Sequence, residues 1–207
     1  MTYRFLQALE SPCVGPVGEA NGVAGSREAA DVDRGADRFS AAEAAFIAER
    51  DSFYLSTVSR TGWPYIQHRG GPPGFLRVLD DQTLGFADFR GNRQYLTLGA
   101  VADDDRVALF LMDYPRRRRL KILARMKPHD LKAEPALAAR LATPGYRGLP
   151  ERGYVLRLHA FDWNCPQHIT PRFTASEIEA ALAPLNARLR DLEAENARLR
   201  GERESSS

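Results

Sequence analysis

Two stretches of this chain hold residue types that could do chemistry, and both are rich in arginine. The first is GFADFRGNRQYLTLG, residues 85–99. A strand-like apolar run stops at an acid, turns on Arg90-Gly91-Asn92 and restarts at Arg93-Gln94 as a helix-like run. A strand, a glycine turn and a helix start together offer free backbone amides and the positive end of a helix dipole, which is where anions bind. Arg93 adds a guanidinium fork suited to a phosphate. The plainer alternative, with Arg90 and Arg93 as solvated surface residues, has equal weight at this point. The second stretch runs from Arg116 to Lys127 and sets seven cations in twelve residues with no acid. It raises a nucleic-acid reading, which salt-dependent retention on DNA would test.

Other reactive residue types are sparse. Cys165 and His168 lie close in sequence, but two ligands do not make a zinc site, and a thiol nucleophile needs a base and a third, orienting group. His68, His129 and His159 lack ligand spacing, so no metal is expected. No G-x-G-x-x-G motif is present to bind NAD(P)H as a Rossmann site would.

Composition narrows the class. The 207 residues are 43% hydrophobic and 27% charged with a formal net charge of +2, which suits a globular fold and gives no strong field for nucleic acid. Two cysteines far apart in sequence imply neither a disulfide framework nor an oxidising compartment. The first residues lack a basic start followed by an apolar run, and no stretch approaches the ~18 apolar residues of a membrane span. The expectation is a cytoplasmic protein without membrane contact.

The elements that must position the arginines read as a β-rich block. Residues 1–38 form a weakly patterned arm, with a short helix at Tyr3–Leu9 and an irregular Gly/Pro stretch after it. Ser40 and Glu43 make a capping box for a helix to about Arg50. FYLSTVS and WPYIQHR read as a hairpin around Arg60-Thr61-Gly62, and GFLRVLD and TLGFADF as a second pair around Asp81-Gln82. RVALFLMD is apolar on both faces, as a strand buried on both sides would be. In RRLKILARMK, Leu120, Ile122, Ala124 and Met126 share one face. A helix near 93–100, a helix over Asp130–Leu141 and a last strand YVLRLHAFDW complete the set. The fold class expected is mainly β with flanking helices (α+β): a six- to seven-stranded antiparallel split β-barrel over 39–173.

From Thr174 the pattern changes to a C-terminal heptad helix, residues 174–207, with a disordered end. Thr174 and Glu177 form a second capping box. Ile178, Leu182, Leu185, Leu189, Leu192, Asn196 and Leu199 follow at alternating spacings of four and three. Leu182, Leu189 and Asn196 take position a, and the remaining four take d. Asn at a favours a parallel two-stranded coil, and the flanking pairs Arg188–Glu193 and Glu195–Arg200 attract across it. Pro184 should kink or restart the helix. The alternative is a single amphipathic helix packed on its own domain; the partner expected is a second copy, in a homodimer to which a zipper of only about two and a half heptads adds a parallel C-terminal helix contact rather than creating it. A basic-zipper reading fails, because that motif needs its basic region continuous with the heptads and only Arg172 stands near Ile178.

The order PYIQHR, GFADFRGNRQY, DDDRVALFLMD, RRRRLKILARM resembles the pyridoxamine 5′-phosphate oxidase-like family of FMN-binding split barrels over roughly residues 45–128. The resemblance implies FMN as cofactor, held at a dimer interface, and flavin-dependent oxidoreductase chemistry, with NAD(P)H as one conceivable donor. It sets Arg93 and Gln94 where the family's phosphate-binding Arg-Lys pair stands, with Gln94 departing from Lys. It sets Gln67, His68 and Arg69 on the strand edging the cofactor, Ala87 and Asp88 beside the ring, and Arg119 at a flavin-facing position of the later strand. The segment FDWNCPQHITPRF looks like one in a branch of the family with no assigned reaction; either Gln167, His168 and Arg172 line the flavin pocket from the partner subunit, or Pro166 and Pro171 make a rigid exit from the barrel that His168 caps. The substrate-gripping Trp and Arg segment of the true oxidases is missing, which argues against vitamin B6 oxidation. Trp63, Tyr65, Phe86 and Phe89 are candidates for the apolar walls such a ring needs. A non-catalytic flavin carrier is the alternative.

Overall fold

The structure, a computed structural model, describes residues 3–22, 36–163 and 166–205. Seven strands form one antiparallel sheet: β1 (Ser52–Val58), β2 (Pro64–Gly70), β3 (Arg77–Asp80), β4 (Thr83–Phe89), β5 (Arg106–Asp113), β6 (Arg118–His129) and β7 (Pro150–Trp163). Their order is β2-β1-β5-β6-β7-β4-β3. Six helices lie among the described residues: α1 (Tyr3–Ala8), α2 (Val14–Ala20), α3 (Ala41–Ala48), α4 (Leu96–Asp103), α5 (Pro135–Leu141) and α6 (Ala175–Ser205).

The sheet curls until its two ends face each other. Phe53 on β1 packs edge-on to Phe86 on β4 at 5.3 Å, although β5, β6 and β7 separate them in the strand order. The edge strands β2 and β3 stay unpaired to each other, which leaves the barrel split. Strand alternation fills the interior. Phe53 and Leu55, Leu109 and Leu111, and Leu120, Ile122 and Met126 all point inward and are buried. Each is worth roughly 1.5–3 kcal/mol of burial. The Ser40 capping box is formed, with the Ala42 amide donating to Ser40 Oγ and the Ser40 amide to Glu43 Oε2. Glu43 also accepts the indole N–H of Trp163 at 2.7 Å and so ties α3 to the last strand. Gly62 turns the first hairpin with φ 86°, the left-handed backbone that glycine adopts without penalty.

Several elements differ from expectation. The Gly/Pro stretch contains α2, because Pro16 occupies the helix's first turn, where its missing N–H has no intrahelical partner to lose. α5 starts at Pro135 and not at Asp130: a residue before proline avoids the α region, and Glu134 sits at φ −123°, ψ 69°. The third strand begins at Arg77, the α4 helix at Leu96, and the last strand at Pro150. The second face of β5, with Ala108, Phe110 and Met112, is half-buried rather than buried. Pro184 neither breaks nor restarts α6, whose 31 residues run through it. It stands on the exposed side of the helix, where water can satisfy the carbonyl it leaves free. No helix among the described residues is long and apolar enough to cross a membrane.

Candidate functional site

The arginine-bearing loop after β4 opens onto a cleft of about 170 Å³ between β2, the loop, the start of α4 and the start of β7. Its backbone is unusual. Arg93 and Tyr95 take left-handed conformations, φ 61° and 54°, which cost a side-chain-bearing residue of order 1–3 kcal/mol each. Gly91, expected to make the turn, is not the left-handed residue. Asn92 Oδ1 instead accepts the Gln94 amide at 3.1 Å, closing an Asx turn. Tyr95 caps α4 with no side-chain hydrogen bond to its first amides.

β2 supplies the cleft's opposite wall. Its inward residues Tyr65, Gln67 and Arg69 are half-buried rather than apolar. Thr97 Oγ1 donates to Gln67 Oε1 at 2.9 Å. Arg69 binds Asp88 on β4 at 2.5 Å, and Arg152 on β7 lies 3.8 Å from the other oxygen of Asp88. The pairing follows from register, because Asp88 and Arg152 are cross-strand partners. Burial pushes the Asp88 carboxyl above its usual range, against the pull of Arg69 and Arg152. Burial, and then the Asp88 charge, drive the Tyr154 hydroxyl up to about 12, so it stays neutral. Arg152 also stacks over the Tyr95 ring at 5.0 Å. Arg90 and Arg152 both pair with Glu151.

One carboxylate cannot satisfy two forks. Nε of Arg69 and Nη1 of Arg152 are buried and make no hydrogen bond among the described residues. Buried donors of this kind are rare in proteins and cost about 1–3 kcal/mol each, more when charged. Arg69, Arg90, Arg93 and Arg152 stand against Asp88 and Glu151, a formal excess of two positive charges.

Of the residues singled out in the sequence, Gln67, Arg69, Asp88, Arg93 and Gln94 come together here with Tyr65 and Phe89. The others lie elsewhere. His68 points to the opposite face of β2, its ring 5.7 Å from that of Tyr54. Ala87 shares the face of β4 on which Leu79 and Leu141 close over Gly85. Arg119 lies on the outer face of β6, its guanidinium 5.9 Å from the Phe110 ring. Gln167 and His168 are exposed beyond β7, with His168 at φ 60°. Phe86 lies in the core and Trp63 is exposed on the first hairpin. Cys165 lies outside the described residues, and no group of three metal-ligating side chains occurs among them.

Sequence reasoning missed Arg152, Glu151 and Tyr154. The signal was available: carried back two residues, the inward alternation Leu158, Leu156, Tyr154 falls on Arg152.

A second, larger cleft of about 410 Å³ lies between the end of α3, β1, the β5–β6 turn and the segment before α6. Tyr54 and Phe110 form its floor. Its buried acid, Asp113, accepts from Arg116 at 3.1 Å and lies 3.6 Å from Arg50. Arg50 reaches the Met112 carbonyl and Glu49 as well, and Arg172 stacks on Tyr114 at 5.0 Å.

The chain belongs to the pyridoxamine 5′-phosphate oxidase family: the family profile of that description matches residues 39–154, the whole block from the capping box to the inward tyrosine of β7. Among solved structures, it is similar to a candidate pyridoxamine 5′-phosphate oxidase from Lactobacillus delbrueckii at 18% identity and TM-score 0.47, over 62% of this chain and 97% of that one. It is similar to HupZ of Group A Streptococcus at 12% identity and TM-score 0.46, over 65% and 100%. It is also similar to an FMN-binding protein from Syntrophomonas wolfei at 16% identity and TM-score 0.44, over 58% and 81%. No curated protein sequence matches the chain.

Proposed function

We propose that this chain is an FMN-binding oxidoreductase whose flavin sits in the arginine-lined cleft and is closed over by a second copy. The observation that carries the reading is the pair of buried guanidinium nitrogens, Nε of Arg69 and Nη1 of Arg152, that make no hydrogen bond among the described residues, beside a loop held in left-handed backbone at Arg93 and Tyr95. Donors left without partners in a cleft of net positive charge suit an anionic ligand, and the excess of two charges suits a phosphate dianion.

The residues present fit such a group in part. Arg93 and the start of α4 would hold the phosphate. Gln67, Arg69 and Asp88 would face the polar edge of the ring, with Tyr65 and Phe89 as apolar surface. A single chain encloses about 170 Å³, below the roughly 300–1,000 Å³ of ordinary cofactor sites. A homodimer would supply the rest, and Arg119, Gln167 and His168 would reach a flavin only from the partner. Bound FMN would supply hydride or electron transfer. The protein's part is to orient it, exclude water and keep Tyr154 protonated. Four of the seven cations of the basic run are engaged within the chain, which favours the flavin reading over the nucleic-acid alternative: Arg116, Lys121 and Arg125 each pair with an aspartate, and Arg118 stacks on Trp163.

The test is the visible spectrum of the purified protein, followed by titration with FMN. A yellow protein, or stoichiometric uptake of added FMN, is expected. A colourless protein that takes up none sinks the proposal. Anaerobic reduction of the bound flavin by NADH or NADPH then separates an enzyme from a carrier.

A further inference from the structure

We propose that α6 is one strand of a parallel, in-register, two-stranded coiled coil formed with a second copy of this chain. This rests on α6 alone and not on the flavin. The helix is continuous through Pro184, so the seam from Ile178 to Leu199 is unbroken and holds four d and three a positions. Pro184 itself falls at c, away from the seam. None of the seam's apolar side chains is buried: Ile178, Leu182, Leu185, Leu189, Leu192 and Leu199 are 44–65% exposed. A helix of about 46 Å that leaves its whole apolar stripe uncovered has not found its partner within its own chain.

The occupant follows from charge and from one amide. In a parallel, in-register pair, Arg188 at g meets Glu193 at e of the other copy, and Glu195 at g meets Arg200 at e, so both of these charged pairs attract. Asn196 at a then meets the other Asn196, and the two amides hydrogen-bond to each other. In an antiparallel pair Asn196 would face leucine and be left buried and unpaired. Arg203 at the next a position closes the apolar seam.

Parallel pairing also positions the barrels. α6 starts at the rim of the second cleft, which Thr174 and Glu177 both line. Two helices packed at 8–10 Å bring both copies of that cleft, with the Tyr54 and Phe110 floor, next to one twofold axis.

The experiment is site-directed disulfide trapping in the full-length protein with Cys13 and Cys165 changed to serine. Asn196→Cys should give a two-chain species on mild oxidation, while Ala194→Cys, at the outward f position, should remain single. Adding Arg188→Glu to Asn196→Cys should slow trapping several-fold, and further addition of Glu193→Arg should restore it. The proposal is overturned if Asn196→Cys does not trap, if Ala194→Cys traps equally well, or if the charge swap fails to restore the rate. FMN uptake measured on the same samples keeps this outcome separate from the flavin reading, since α6 lines no part of the first cleft.

Discussion

The smaller of the two clefts is the one with unmet chemical demand. The second cleft has more than twice the volume of the first, about 410 against 170 Å³, yet its charges are settled within the chain. Asp113 is shared by Arg50 and Arg116, and Arg50 spends its remaining donors on Met112 and Glu49. The first cleft keeps two buried guanidinium nitrogens that make no hydrogen bond among the described residues. A paired network is a structural device that pins the β5–β6 turn to the end of α3. An incompletely paired one is what the proposed anion site rests on. Space alone does not mark a ligand site; polar atoms without partners do.

Three changes would break or sharpen that contrast. The largest effect is expected from Asp113→Ala, which removes the buried carboxylate that Arg50 and Arg116 share and that accepts the Arg116 amide. Removing one member of a buried pair costs about 3 kcal/mol. Urea unfolding should show that loss while FMN affinity holds. Retained stability would mean the second cleft is not a structural network. Next comes Arg93→Ala. FMN binding, read by fluorescence titration, should weaken by about 1.5–3 kcal/mol, the scale of a hydrogen bond to a charged group, with the melting temperature nearly unchanged. Equal affinity would remove the loop from the phosphate's contacts.

The smallest effect concerns Asp88, whose folded carboxyl lies above its usual value of 3.8 because of burial. The native state therefore keeps a proton that the unfolded chain has released. The resulting stabilisation is complete below pH 3.8 and fades as pH rises through the folded value, with a slope of at most about 1.4 kcal/mol per pH unit. Asp88→Asn should flatten that part of the stability–pH curve. An unchanged slope would mean that Asp88 titrates normally and that the cleft is wetter than its geometry implies.

How much of this could be read from the residues alone depended on range. Local signals served well: both capping boxes form, Gly62 turns its hairpin, and the inward set on β6 is the one its alternation predicts. Arg93 stood out because its neighbours in sequence are its neighbours in space. Arg152 did not, because its role exists only through pairing with Asp88, 64 positions earlier. The glycine in the arginine loop misled for a related reason. Left-handed backbone usually marks glycine, but here it falls on Arg93 and Tyr95, where tertiary context holds what local preference opposes. Pro184 was over-read as a break: it falls at heptad position c, where an exposed helix keeps its other backbone hydrogen bonds and runs through it.

The strand order has a consequence for synthesis on the ribosome. β1 pairs early with β2, and β4 with β3, but β1 must wait for β5, and β4 for β7, before either gains its second neighbour. Such distant pairings slow the search for the native state. The guanidinium that completes the anion cradle is carried by the final strand. A nascent chain halted before residue 150 would therefore hold β1, β2, β5 and β6 together but leave β3 and β4 unjoined to them, with the proposed cradle still lacking Arg152.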